Sequence, residues 1–228
     1  MEPCSGDRRI YRISPIHNGT ECPIKTVEAM NSLKHTMLWR RLDCPGHDSC
    51  CLWKTGDGWQ LSGTAIFLFE QKPCLLSYEV NTDSNWETRT ASISGYVGKS
   101  VVILAIARNP NHHWSVNDIE LQDAANCIDL DLGFTPATNL IAIRRLSLAV
   151  GARSQAPAAW LDFPDFTLKR LEQHYHRLSY DRYEYISPDA SYADVLEVDD
   201  DGAIARYPQL WEQERSGSSS TFNSTNGY

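Results

Sequence analysis

Asp129 and Asp131 stand two residues apart, and Arg144 and Arg145 follow a short way along the chain. Within a strand, residues i and i+2 share one face, so the two carboxylates would sit roughly 7 Å apart. Such a pair can do general acid/base work or hold a hard cation. A second reading is an ion-pair network, because two buried carboxylates need partners and two guanidinium groups supply them. Arg40, Arg89, Arg144 and Arg145 can each grip a carboxylate, a phosphate or sugar hydroxyls in forked geometry. Each can equally be an ion-paired surface arginine. Asp129 and Asp131 are therefore the catalytic candidates, and sequence alone leaves both readings open.

Other chemistry-bearing clusters say less. Cys44, His47, Cys50 and Cys51 fall within eight residues. Four ligands that close would strain a tetrahedral metal site, and no second ligand pair stands at finger spacing, so no metal is expected. His174 and His176 would share a strand face, a spacing zinc can use, but a lone pair of this kind reads as surface or packing, as does His112-His113. There is no nucleophile elbow, phosphate-binding loop, dinucleotide fingerprint or zinc-protease motif. No cofactor is expected, and an enzyme built on this chain would be a cofactor-free one.

The elements that must position these groups can be read from periodicity. From Cys127 to Leu132 the chain alternates, with Ile128, Leu130 and Leu132 on one side and Cys127, Asp129 and Asp131 on the other. Gly133 breaks the strand. Thr135 is placed to cap a helix whose first residue is Pro136, and Ala137, Leu140, Ile141 and Ile143 form its apolar side. Before it lie several short strands. Leu76, Tyr78, Val80 and Thr82 alternate cleanly. Val101 to Ala107 is a continuous apolar run, as for a strand covered on both faces. Together these read as an antiparallel meander. After the helix, residues 168–178 have helical spacing but lead into a Tyr-rich, β-favouring segment. Val195 to Tyr207 reads as a hairpin turning at Asp201-Gly202.

Composition bounds the partners. The chain has 228 residues and a net charge of -8, which argues against nucleic acid and against general attraction to anionic membranes. No secretory leader or membrane-spanning run is read, so the expected location is cytoplasmic. Seven cysteines, an odd number, read as free thiols in a reducing compartment. Residues 1–35 read as a flexible extension, 36–212 as the folded domain, and 213–228 as a disordered Ser/Gly-rich tail.

Several motifs appear in one order: Trp39-Arg40, Asp83-x-x-Trp86-x-x-Arg89, Asp129-x-Asp131, Thr135-Pro-Ala-Thr-Asn139, Ile143-Arg-Arg-Leu146, Gln173-x-Tyr175 and Tyr207-Pro208. This set resembles the putative glycolipid-binding family, a bacterial domain of unknown function. The resemblance runs from about Met37 to Trp211. It implies a mainly β fold with one central helix, a spiral β-roll in which a long antiparallel sheet wraps around that helix, similar in shape to lipoprotein-localisation carriers and mycobacterial lipid carriers. It favours strands over helix around Gln173 and Tyr175, and it implies homodimers. The family usually has proline where this chain has Ala142, so the helix is expected to run further here. The N-terminal extension, the Cys-rich turn and the tail fall outside the pattern.

Two functions compete on this footing. One is a binding or carrier protein for a lipid, glycolipid or other amphiphilic small molecule held in an apolar pocket between sheet and helix, with Trp39, Arg40, Trp86, Arg89, Asn139, Arg144, Arg145 and Tyr175 as ligand-binding candidates. The other is a cofactor-free cyclase or isomerase in the same pocket, with Asp129 or Asp131 as acid/base and an arginine steadying negative charge. A filled, ligand-free interaction module is a third.

Overall fold

The computed structural model describes residues 31–214. The tail beyond 214 and the first thirty residues of the expected extension lie outside the described residues. Six long strands come first: β1 (Ser32–Arg41), β2 (Gly46–Lys54), β3 (Gly58–Phe69), β4 (Lys72–Asp83), β5 (Thr88–Val97) and β6 (Ser100–Arg108). Two short ones follow, β7 (Trp114–Val116) and β8 (Ile119–Leu121). Each pairs antiparallel with its sequence neighbour, as the alternation predicts. On β4 the residues Leu76, Tyr78, Val80 and Thr82 are all buried, the face read from sequence.

The chain then leaves the sheet through β9 (Asp129–Leu132) and helix α1 (Asn139–Leu146). Two bent hairpin arms follow, β10 (Arg153–Gln155) with β11 (Ala158–Leu161), and β12 (Leu168–Leu171) with β13 (His174–Arg177). The strands β14 (Arg182–Ser187), β15 (Tyr192–Val198), β16 (Ile204–Tyr207) and β17 (Trp211–Gln213) complete the fold. The order β10-β13-β14-β15-β16-β17-β1-β2-β3-β4-β5-β6-β7-β8 makes one antiparallel sheet, open at β10 and at β8. A small second sheet, β12-β11-β9, contains the parallel pair β11·β9. Strands occupy the ambiguous segment around Tyr175, and the β15–β16 hairpin turns where Gly202 takes φ +81°.

Three local expectations change. The helix starts at Asn139, not at Pro136. Thr135 lies four residues before it, with its hydroxyl donating to the buried carboxylate of Asp48 and accepting the Ala137 N–H at 3.0 Å. Thr138 occupies the cap position, yet its hydroxyl accepts the Leu132 N–H at 3.1 Å instead. In both threonines the accepting side of the hydroxyl is taken by a backbone N–H that lies outside the helix. The helix does run through Ala142, ending where Ser147 turns left-handed at φ 43° and gives its N–H to Ile143 O. Finally, β6 is covered on one face only. Val101 is 75% and Ile103 72% exposed, while Val102 and Ile106 are buried. A continuous apolar run fits a two-sided strand and a one-sided strand with an apolar outer face equally well.

Helix α1 belongs to both parts of the core. Leu140 and Ile141 pack in the large cluster built on Trp39, Leu76, Trp114 and Phe134. Ala142 and Ile143 pack with Tyr175, Tyr183, Tyr185 and Leu196. Burying each of the larger aliphatic side chains contributes about 1.5–3 kcal/mol. With residues 139–143 all buried, the helix is held by packing rather than by its caps, as an eight-residue helix must be.

Candidate functional site

The two aspartates of β9 part company. Asp129 is 1% exposed, and both its oxygens accept from Arg145, each at 2.7 Å. Burial pushes its carboxyl up and the guanidinium pulls it back. This is a closed, structural ion pair. Asp131 has no arginine. Its Oδ2 accepts the Gln173 amide at 2.5 Å, and its Oδ1 lies 3.5 Å from the Thr138 hydroxyl. Burial pushes this carboxyl up to about 6, against the pull of Gln173 and Thr138. A carboxyl poised near neutrality is suited to proton transfer or to hydrogen bonding in either sense.

Asp131 faces a cavity of about 260 Å³ near the start of α1. Its polar lining includes Asp131, Thr135, Asn139 and Ser187, and its aromatic lining includes Trp160, Tyr185, Tyr192 and Tyr207. Each group has a local reason for its place. Gly133 leaves room for the Trp160 indole, whose Nε1 lies only 2.7 Å from where a β-carbon would stand. Asn139 is 5% exposed and donates to the Tyr175 hydroxyl at 3.1 Å, so its orientation is fixed from behind. The tyrosines brace one another, with Tyr185–Tyr207 centroids at 5.9 Å and Tyr192–Tyr207 at 5.0 Å. Ser187 Oγ is buried without a hydrogen-bond partner. A buried hydroxyl left unpaired in the protein is a natural contact for a ligand or water.

Beneath the cavity lies a second buried carboxylate. Asp48 is fully buried; its Oδ2 accepts from Thr135 and, at 2.9 Å, from the Tyr78 hydroxyl, and its Oδ1 has no partner. Gly63 makes this possible, since any side chain there would collide with the Tyr78 hydroxyl. Burial pushes Asp48 up to about 6, with Thr135 and Tyr78 opposing. The segment Thr135-Pro-Ala-Thr138 therefore runs between two raised carboxyls, one hydroxyl on each.

Of the sequence candidates, Asp131 and Asn139 line this cavity, and Tyr175 supports Asn139. Trp39 is in the core, with its indole N–H on Ile204 O at 2.6 Å. Arg40 is exposed and pairs with Glu212. Arg89 grips Asp83 at 2.5 Å in the turn that also stations Trp86. Trp86 and Arg144 instead line a second, polar cavity of about 200 Å³ at the far end of α1. There Trp86 stacks on Trp59 at 4.6 Å, and Arg144 lies 5.8 Å from the Trp86 ring and bonds Asp201 at 3.3 Å. Sequence reading did not single out Ser187, Tyr192 or Tyr207 as lining residues, nor Asp48 beneath them. Only Tyr207, inside a motif, carried a signal. On β2, Cys50 points inward and Cys51 outward, and among the described residues no three His, Cys, Asp or Glu side chains converge as metal ligands.

An open-sheet β architecture with one helix among the described residues, and a small polar-aromatic cavity beside it, defines the class. A family model described as putative glycolipid-binding matches residues 36–213, and the chain belongs to that family. A similar solved structure is the crystal structure of a DUF1089 family protein from Pseudomonas aeruginosa. It is 24% identical with a TM-score of 0.63, and the match covers 90% of this chain and 98% of that one. A comparison with curated proteins gives no match. Among the described residues no helix is long and apolar enough to cross a membrane.

Proposed function

We propose that this protein binds or carries a glycolipid or related amphiphile, with the polar head in the cavity beside Asp131 and Asn139. One observation carries the reading. Aromatic faces (Trp160, Tyr185, Tyr207) and hydroxyl-recognising groups (Asp131, Asn139 and the unpartnered Ser187) share one space of about 260 Å³. Aromatic faces suit the C–H faces of a sugar, and carboxylate and amide groups suit its hydroxyls. The volume of about 260 Å³ lies below the roughly 300–1,000 Å³ of sites that enclose a drug-sized ligand, so it takes a head group without its acyl chains. The alkyl part then runs outward, and Trp86 and Arg144 at the far end of α1 remain candidate contacts.

In this reading the long sheet curls around α1 as a spiral roll. The helix side chains join both core clusters, and Thr135 and Asn139 tie its approach to β2, β4 and β13. Residues 36–212 act as the binding unit. Homodimers form through the outer face of β3–β6, where Ile66, Tyr96, Val101 and Ile103 are exposed and a row of small hydroxyls, Thr64, Ser77 and Ser94, runs alongside. A cytoplasmic location is consistent with the free thiols of Cys44, Cys50, Cys51, Cys74 and Cys127.

The alternative is a cofactor-free cyclase or isomerase using Asp131 as general acid/base. Its support is the carboxyl pushed up to about 6 at the cavity wall. Arg145 and Arg144 are already engaged by Asp129 and Asp201, so Asn139 and Ser187 would steady the developing charge. Native mass spectrometry of the protein purified from its own host, with extraction of co-purifying material, tests the proposal. A stoichiometric amphiphile lost on Asn139→Ala supports the carrier. A protein that arrives empty counts against it and moves weight to an enzyme that releases its product or to a ligand-free module.

A further inference from the structure

Another cavity lies apart from the one beside Asp131. A groove of about 460 Å³ lies on the outer face of the sheet, at the open end formed by β10, β13 and β14. Strand register builds it. One row across the strands is Arg153, His176 and Glu184, and the next is Gln155, His174 and Ile186. Pro188 stands at one end of the lining. The side chains of Tyr175, Tyr183 and Tyr185 pack in the core, and no residue that lines this groove lines the cavity beside Asp131.

Its charges are unevenly used. His176 Nδ1 contacts Glu184 at 3.2 Å, which occupies the only carboxylate in the lining. Among the described residues no hydrogen bond or ion pair engages the side chain of Arg153 or His174. A free guanidinium therefore stands at one row, and the exposed aliphatic Ile186, 36% accessible, stands in the next, with Pro188 beyond it. The volume falls within the usual range of roughly 300–1,000 Å³ for small-molecule sites.

We infer that this outer groove is a second binding site, taking a small carboxylate-bearing amphiphile whose acid group pairs with Arg153 and whose apolar part lies on Ile186 and Pro188. A guanidinium fork matches a carboxylate in charge and shape. A neutral alcohol of the same length gains only the apolar contact.

Titration calorimetry of the full chain with octanoate, and with 1-octanol as neutral counterpart, tests this. Octanoate binds saturably and more tightly than octanol. Arg153→Gln weakens octanoate about tenfold, the scale of one charge-assisted hydrogen-bond pair, and leaves octanol unchanged. Ile186→Asp weakens both ligands, and Asn139→Ala, which alters the interior cavity, changes neither. Arg153 is exposed, so its replacement leaves the fold intact. Absence of saturable octanoate binding, or equal affinity in Arg153→Gln, overturns the inference. So does loss of octanoate binding in Asn139→Ala, which would move the carboxylate to the interior cavity.

Discussion

Asp48→Asn is the substitution that tests most directly how the buried carboxylates are held. The folded protein keeps the Asp48 carboxyl at about 6 against an ordinary aspartate value of 3.8, so it binds that proton more tightly than the unfolded chain does. The contribution of this group is therefore fully present below about pH 3.8 and is lost as pH rises through about 6. At about 1.36 kcal/mol per pKa unit the loss amounts to about 3 kcal/mol. Asparagine cannot ionise. Its carbonyl can still accept from Thr135 and Tyr78, but its amide then occupies the place of the unpartnered Oδ1, at a cost of about 1–2 kcal/mol. Relative to wild type, the variant should be less stable by about 1–2 kcal/mol near pH 4 and more stable by a similar amount near pH 8. Urea unfolding followed by tryptophan fluorescence across that range reads the crossing. Parallel curves for the two proteins would refute the reasoning, since they would mean that Asp48 titrates alike in the folded and unfolded states.

Three other substitutions separate the remaining interactions. Arg145→Met leaves Asp129 buried without its guanidinium and should cost about 3–5 kcal/mol in urea unfolding at neutral pH; a loss under about 1 kcal/mol would show the pair to be dispensable. Ser187→Ala removes a hydroxyl that has no partner, so the empty protein should be unchanged or slightly more stable in a thermal melt. A clear drop in melting temperature would mean that the hydroxyl is engaged in the free protein. Ile103→Asp places a charge on the outer face of β6, and light scattering should report monomers where the wild type gives dimers; a wild-type monomer, or a dimeric variant, counts against that interface.

Much of the fold was legible because alternation is a local property. The residues Leu76, Tyr78, Val80 and Thr82 announce which face of β4 is inside, and the family motifs match the chain at residues 36–213. The helix start was not legible. Thr135-Pro136 is a sound cap-and-first-turn signal, but a carboxylate from β2, 87 residues away in sequence, binds the Thr135 hydroxyl, and the chain turns helical only at Asn139. The outer face of β6 was misjudged for the complementary reason, since apolar residues report burial only when something covers them. At the site, Asp129 and Asp131 look equivalent in sequence. Only the position of Arg145, one place further along the helix than Arg144, assigns the guanidinium to the first and leaves the second to the cavity. Ser187 is an ordinary strand-end serine until the fold brings it to the wall of the cavity that Asp131 also lines.

The seam between β17 and β1 has a consequence for how the chain assembles. Strands β1 to β8 each pair with a sequence neighbour, so this half can form by successive hairpins as the polypeptide emerges. The joining of the two halves waits for Trp211–Gln213, which register with Trp39 to Arg41 across most of the domain's length. Until those three residues are available, the outer edge of β1 is an unpaired strand edge, and such an edge can template pairing with another chain. The interval between synthesis of β1 and of β17 is thus the period when a nascent chain is most exposed to joining its neighbour instead of itself.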